Sequence, residues 1–286
     1  MERQFQKMRV AFQGEAGAFS EAAAVQLLGE KITTVPRHTF HSTFGAISEG
    51  AADALLVPVE NSLAGSVVRV YDLLLESNLV IVAETILRIK HQLIGCPGAS
   101  LQDIRSVSSH PVALAQCEGF FLSHPHLKRV AAEDTAGSVR EVLARGDKAY
   151  AAIAGHRAAQ QYGGVILAEN IEDNAENFTR FVLLLPSDQA ARFDKPDARK
   201  MSVAMRLAHR PGSLLSSLEP FARHGINLMK IESRPIPGSP WVYQFFLDLE
   251  ASSPEELDTA LAEVRQATSE VRILGLYEAA KPTSAK

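Results

Sequence analysis

Met8-Arg9-Val10-Ala11-Phe12-Gln13 runs into Gly14-Glu15-Ala16-Gly17, and then into Ser20-Glu21-Ala22-Ala23-Ala24-Val25-Gln26-Leu27-Leu28. The first run is apolar and of strand length, the glycines make a turn, and the last run has helical composition. Strand, glycine turn and helix start is the order that builds an anion-receiving loop. Glycines let backbone N–H groups approach the anion, and the helix start adds a favourable field. Ser20 can donate to such an anion or simply cap the helix.

The same alternation continues outward. Residues 32–35, 54–59, 79–87, 92–96, 150–154, 165–168 and 178–185 read as strands. Helices are expected near 41–51, over 111–122, over 135–144 with Thr135 as N-cap, and near 156–162. Strands and helices in turn predict an α/β protein with mainly parallel sheets, long enough for two lobes. Composition then shifts to polar residues and prolines over 187–200, which reads as a linker. Beyond it, strands at 201–207, 226–235, 241–250 and 271–277 and helices at 211–224 and 254–267 follow the βαββαβ order of a ferredoxin-like unit. Residues 281–286 read as a frayed tail.

The chain has 286 residues, 46% of them hydrophobic, and a net charge of -4. That balance gives no footprint for nucleic acid or an anionic membrane. Cys96 and Cys117 read as free thiols of a reducing compartment. No Cys and His spacing predicts a metal site. The start of the chain lacks the apolar stretch of a signal peptide, and no window has membrane-span length, so a soluble, cytoplasmic protein is expected.

Four segments hold residues able to do chemistry. The Gly14–Ser20 loop, with Gly17 and Ser20, is one; a tight turn with a capped helix is the plainer reading. Glu60-Asn61-Ser62-Leu63-Ala64-Gly65 leaves a buried strand at its end, where α/β proteins place ligands. Glu60 can be a general acid, an acceptor or a scaffold carboxylate, and Asn61 and Ser62 also form turns readily. His110, before Pro111 and a helix containing Gln116, can orient a substrate or merely cap that helix. Asn177-Phe178-Thr179-Arg180-Phe181 opens an apolar strand. Arg180 suits a two-point grip on a carboxylate, and Thr179 can donate one proton while accepting others.

These strings, in this order, resemble prephenate dehydratase. Asn227-Leu228-Met229-Lys230-Ile231-Glu232-Ser233-Arg234-Pro235 resembles the phenylalanine-responsive ACT domain attached to such enzymes. The resemblance implies a two-lobed, periplasmic-binding-protein-like catalytic domain over 8–186 and an ACT domain over 201–279. It implies a carbon–oxygen lyase of phenylalanine biosynthesis that turns prephenate into phenylpyruvate without metal or organic cofactor. The essential Thr of the family falls on Thr179, with Glu60 as the competing acid. Its cleft residues fall on Gly17, Ser20, Asn61, Ser62, Gly65, His110, Arg180 and Phe181. L-phenylalanine is the implied effector, at Gly212, Ser213, Leu214, Asn227, Leu228, Glu232 and Ser233, in a homodimer or dimer of dimers. Where the family often has Gly-Ala-Leu and Asn-Leu-Thr, this chain has Gly212-Ser213-Leu214 and Asn227-Leu228-Met229. Arogenate dehydratase and a non-enzymatic two-lobed binding protein are the alternatives.

Overall fold

The computed structural model describes residues 7–193, 198–236, 238–268 and 270–280. The expected tail at 281–286 and the first six residues of the chain lie outside them. The chain forms two compact units, one of residues 7–75 and 85–182, the other of 76–84 and 183–280.

The first lobe of the first unit is built from β1 (Arg9–Gln13), α1 (Phe19–Leu28), β2 (Thr33–Arg37), α2 (Phe40–Ser48), β3 (Ala54–Asn61) and β4 (Gly65–Ser66). β1 lies parallel to both β2 and β3, and β4 folds back antiparallel on β3. Val10 to Phe12 and Ala54 to Val57 are buried without a break. That is why these strands read as continuous apolar runs: helices cover both faces of a parallel sheet. α3 (Val68–Glu76) and β5 (Leu79–Arg88) then lead towards the second lobe.

That lobe comprises β6 (Gln92–Gly95), β7 (Ser106–Ser109), α4 (Pro111–Ala115), α5 (Glu118–Ser123), β8 (Lys128–Ala131), α6 (Thr135–Arg145), β9 (Tyr150–Ala154), α7 (His156–Tyr162) and β10 (Val165–Ala168). Its sheet has the order β10–β6–β9–β7–β8. Side chains alternate between faces along each strand. Leu93, Val107 and Ile153 therefore pack with Leu114 and Phe121 on one side. Ile94, Ala152 and Ala154 pack with Val139 and Ala158 on the other. Each large side chain so buried contributes about 1.5–3 kcal/mol. The expectation of parallel pairing holds for β7 with β8 and β9, whereas β6 pairs antiparallel with β9 and β10. The chain then returns to the first lobe as β11 (Phe178–Pro186).

Several expected elements change shape. The helix expected over 111–122 is two, because Asp173 caps α5 by accepting from the Glu118 and Gly119 amides at 2.8 Å and so breaks the run at Gln116 and Cys117. The N-cap of α6 is Asp134 rather than Thr135, its carboxylate accepting from the Gly137 amide at 2.6 Å. β3 runs through Glu60 and Asn61, which makes those residues strand rather than turn. α3, β7 and β8 were not expected from the sequence; α3 opens on β-branched Val68 and Val70, which weakens a helical reading.

The second unit is β12 (Lys200–Arg206), α8 (Ser213–Arg223), β13 (Asn227–Ile236), β14 (Ser239–Glu250), α9 (Pro254–Ala267) and β15 (Glu270–Tyr277). Their order β13–β14–β12–β15, antiparallel throughout, is the ferredoxin-like arrangement. Met201, Val203, Leu247, Leu249, Leu257 and Leu261 form its core under the two helices. Lys200 is strand rather than linker, and Ser187–Phe193 form a 3-10 helix. The Lys200 ammonium is buried against both oxygens of Glu84 at 2.9 Å. Gly275 pairs with Ile81, and any side chain there would overlap the Ile81 carbonyl.

Candidate active site

The C-terminal end of β3 meets the start of β11 with its residues counting in opposite directions. The Ser62 amide donates to the Phe178 carbonyl at 2.8 Å, Asn61 bonds Thr179, and Glu60 bonds Arg180. Successive side chains leave a strand on opposite faces. This end of the sheet carries two polar clusters, and one cavity touches Asn61 of the first and Glu60 and Arg180 of the second.

The first is centred on Asn61. Its carbonyl oxygen accepts from the Leu63 and Ala64 amides at 3.0 and 2.8 Å. Its NH2 faces Asn177 Oδ1 at 2.8 Å, Thr179 Oγ1 at 2.9 Å and the Phe178 carbonyl at 3.1 Å. Thr179 is buried. The cluster extends to the second lobe: Asn177 Nδ2 donates to Gln116 Oε1 at 3.1 Å, and His91 Nε2 lies 2.9 Å from that oxygen. Gln116 reaches this place because Asp173 ends α4 there. The sequence named Gln116 and Asn177 only in passing and missed His91, which carries no local signal in Lys90-His91-Gln92.

The second cluster is the ion pair of Arg180 and Glu60, with Nε donating to Oε1 at 2.8 Å. Arg180 is buried, and the Glu60 side chain is 34% exposed. A cavity of about 310 Å³ opens beside them, lined by Glu60, Asn61, Ser62, Gly65, Ser66, Ile86, Phe178 and Arg180. That is within the size range of small-molecule sites. Ser62 ties the two lengths of chain together, giving its hydroxyl proton to the Glu176 carbonyl at 2.7 Å and accepting from the Phe178 amide at 2.9 Å.

The glycine loop behaves differently from its sequence reading. The Gly17 amide donates to Glu21 Oε2 at 2.6 Å, so the anion received there is the protein's own. Gly17 has φ +87°, and a Cβ on it would stand 2.7 Å from the Ala158 backbone, so the glycine allows the two lobes to touch. Ser20 is not the cap: Ala18 holds that position without a side-chain bond, and Ser20 is buried inside α1. His110 takes the capping alternative, Nδ1 accepting from the Val112 amide at 3.3 Å. The Phe181 side chain is 2% exposed, a core position rather than a cleft wall. Among the described residues no group of His, Cys, Asp and Glu is arranged to hold a metal ion.

Residues 10–189 match the family model for prephenate dehydratase. The chain belongs to the prephenate dehydratase family. It is 40% identical over 286 residues to the arogenate dehydratase/prephenate dehydratase 1 of Arabidopsis thaliana chloroplasts, covering 95% of this chain and 72% of that one. A prephenate dehydratase from Arthrobacter aurescens, solved in complex with L-Phe, superposes with a TM-score of 0.83 at 33% identity, over 95% of this chain and 90% of that chain. The solved structure of GqqA, described as a novel type of quorum quenching acylase, superposes with a TM-score of 0.86 at 35% identity, over 96% and 98%.

In this dehydratase the residues expected to hold an effector sit less compactly than their sequence strings imply. A cavity of about 400 Å³ in the second unit is lined by Leu207, Ala208, His209, Arg210, Pro211, Ser213, Tyr243 and Phe245. Of the expected residues only Ser213 is among them; its buried hydroxyl oxygen has no hydrogen-bond partner. Gly212, at φ +83°, is the N-cap of α8 and leaves its first turn without a side-chain cap. Leu214 and Leu228 pack against the core of the unit. Asn227, Glu232 and Ser233 lie on β13, and the Asn227 amide rests on Met229 Sδ at 3.0 Å.

Proposed function

We propose that this prephenate dehydratase uses Thr179 as the proton donor to the departing hydroxyl, and Arg180 with the neighbouring cavity as the receiver of a substrate carboxylate. Prephenate loses its ring carboxylate as CO2 and its ring hydroxyl as water. The electron pair of the breaking C–C bond moves into the ring as the C–O bond breaks, and one proton joins the leaving oxygen. The enzyme's task is to hold a dianion, align both bonds and help the oxygen leave.

The observation that carries this reading is the bond from Asn61 to Thr179. The Thr oxygen accepts there, so its own proton is available to another acceptor. A fixed donor in a water-poor site is worth far more than one in bulk water. Glu60, the other candidate acid, is engaged by Arg180, whose Nε donates to its Oε1 at 2.8 Å. In this reading Glu60 positions the guanidinium rather than protonating the substrate.

The acylase description of one structural relative would require an activated nucleophile. Asn61 brings Thr179 a donor, not a base. Cys117, beside Gln116, has its thiol pushed up to about 12, first by burial and then by the charges of Asp173 and Glu172, which removes a thiolate. The reading also includes L-phenylalanine as effector in the second unit and a paired assembly of those units. A cytoplasmic location fits the buried free thiols of Cys96 and Cys117. Separate assays of prephenate and arogenate, following phenylpyruvate and phenylalanine with and without added L-phenylalanine, test it. Turnover of prephenate is expected; activity on neither acid would overturn the reading.

A further inference from the structure

The hydrogen bonds from Asn61 to His91 have a direction fixed from one end. The Leu63 and Ala64 amides can only donate, so the atom they meet is the Asn61 oxygen and its NH2 points the other way. That NH2 faces the Asn177 oxygen at 2.8 Å, so the Asn177 NH2 is the group 3.1 Å from Gln116 Oε1. Turning either amide over would set N–H against N–H. A carbonyl oxygen cannot donate, so the His91 nitrogen 2.9 Å from Gln116 Oε1 carries a hydrogen. The other ring nitrogen, Nδ1, is buried with no hydrogen-bond partner. A second proton there would bury an unpaired N–H together with a charge, which is costly. The ring is therefore the neutral Nε2–H tautomer. Burial lowers the pKa of His91, outweighing the Gln116 bond and the charge of Glu172, which act the other way.

The ring itself is firmly held. Phe19 meets it edge-on at 5.6 Å between centroids. Its backbone amide donates to Glu172 at 2.8 Å, and its carbonyl accepts from the Ile171 amide at 2.9 Å.

We propose that His91 is a positioning residue for the dehydration: as the Nε2–H tautomer it anchors Gln116, and through Gln116 it holds Asn177 with its oxygen on the Asn61 NH2 that also bonds the Thr179 hydroxyl. The proposal rests on the donor reading of Thr179 given above.

Two measurements on the full-length protein test it. A long-range proton–nitrogen correlation spectrum with nitrogen-15-labelled histidine, near neutral pH, reads the tautomer directly; the His91 signals are assigned by their loss in His91→Gln. A protonated Nε2 and bare Nδ1 are expected, and an Nδ1–H tautomer or an imidazolium overturns the relay. Kinetically, His91→Leu removes the donor, whereas the Gln side chain can still present an N–H to Gln116. His91→Leu should lower kcat about tenfold with KM changed less than about twofold, and His91→Gln should recover most of the loss. Unchanged kcat in His91→Leu, or equal loss in both variants, overturns the proposal; should the Leu variant not fold, the spectrum and the Gln variant still decide. Full turnover by Thr179→Ala would sink the donor reading itself and leave the tautomer measurement untouched, so the two failures are distinguishable.

Discussion

The Asn61 side-chain amide donates to the Thr179 hydroxyl oxygen across 2.9 Å, joining the last residue of β3 to the second residue of β11. The same NH2 also faces the Asn177 oxygen and the Phe178 carbonyl, so its two hydrogens have three acceptors in reach. Removing the Thr hydroxyl leaves both hydrogens with a partner. Thr179→Ala should therefore fold with little loss of stability, while turnover falls about 100-fold or more, the usual effect of losing one fixed transition-state donor. Steady-state kinetics beside a thermal melt checks both halves; near-normal turnover would remove Thr179 from its role.

Arg180 and Glu60 separate substrate binding from acid catalysis. Lysine keeps the charge at position 180 but cannot hold Glu60 and a substrate carboxylate with one planar group. Arg180→Lys should raise KM about tenfold, the scale of one hydrogen bond to a charged group. Glu60→Gln keeps the shape and can still accept from Arg180 Nε. If Glu60 only positions Arg180, the Gln variant shifts KM more than kcat. A kcat collapse in Glu60→Gln with KM intact would return the acid role to Glu60.

Why the strands and the second unit were legible, and the polar network was not, follows from the reach of the signals involved. Runs such as Ala54-Leu55-Leu56-Val57 are buried on both faces, and α9 matches its expected 254–267 because Ser253 caps it, accepting from the Glu256 amide, and Pro254 opens it. Those signals are local. The Gln116 break depends on Asp173, a capping residue far along the chain, so 111–122 read as one helix. The glycine loop has the sequence of an anion receiver, but the carboxylate it receives is that of Glu21, one turn along α1. His91 matters through contacts with residues distant in sequence, Gln116, Glu172 and Phe19, and nothing beside it announces them.

Gly17 allows contact between the two lobes of the first unit. At φ +87°, with the Ala158 backbone 2.7 Å from any Cβ, it tolerates no side chain without movement. Gly17→Ala should lose about 2–6 kcal/mol from the combined backbone strain and overpacking. Gly50→Ala makes the control: its φ is +66°, but its Cβ would meet open space. Denaturant unfolding of both variants isolates the packing part; equal losses would leave only the backbone cost.

His91 also gives stability a pH dependence of known sign. Its folded pKa lies below the ordinary histidine value, chiefly through burial. Between the two values the unfolded chain binds a proton that the folded one does not, so stability falls as pH drops from about 6.5 towards the folded pKa. Below that value the contribution is level, and above about 6.5 it vanishes. His91→Gln should remove this component of the curve. Parallel unfolding curves for wild type and variant over that window would contradict it.

Regulation by L-phenylalanine is expected to act through the cavity beside α8. The uncapped first turn of that helix favours a carboxylate, the partnerless Ser213 hydroxyl can bond it, and Leu207, Tyr243 and Phe245 offer apolar walls for a ring. Ser213→Ala should weaken binding by about tenfold, the order of one hydrogen bond to a charged group. Asn227 stands exposed on β13 and is not among the residues lining this cavity. It can serve the effector only where a second copy completes the site, so loss of binding in Asn227→Ala would mark a site shared between paired units. Coupling to catalysis requires that the effector bind two states of the enzyme unequally. Calorimetric titration of the intact protein and of both variants, with turnover measured in parallel, checks the chain of argument. Binding heat that weakens in Ser213→Ala, together with changed turnover, is the expected result. No heat at millimolar L-phenylalanine and no change in activity would leave the second unit without an effector.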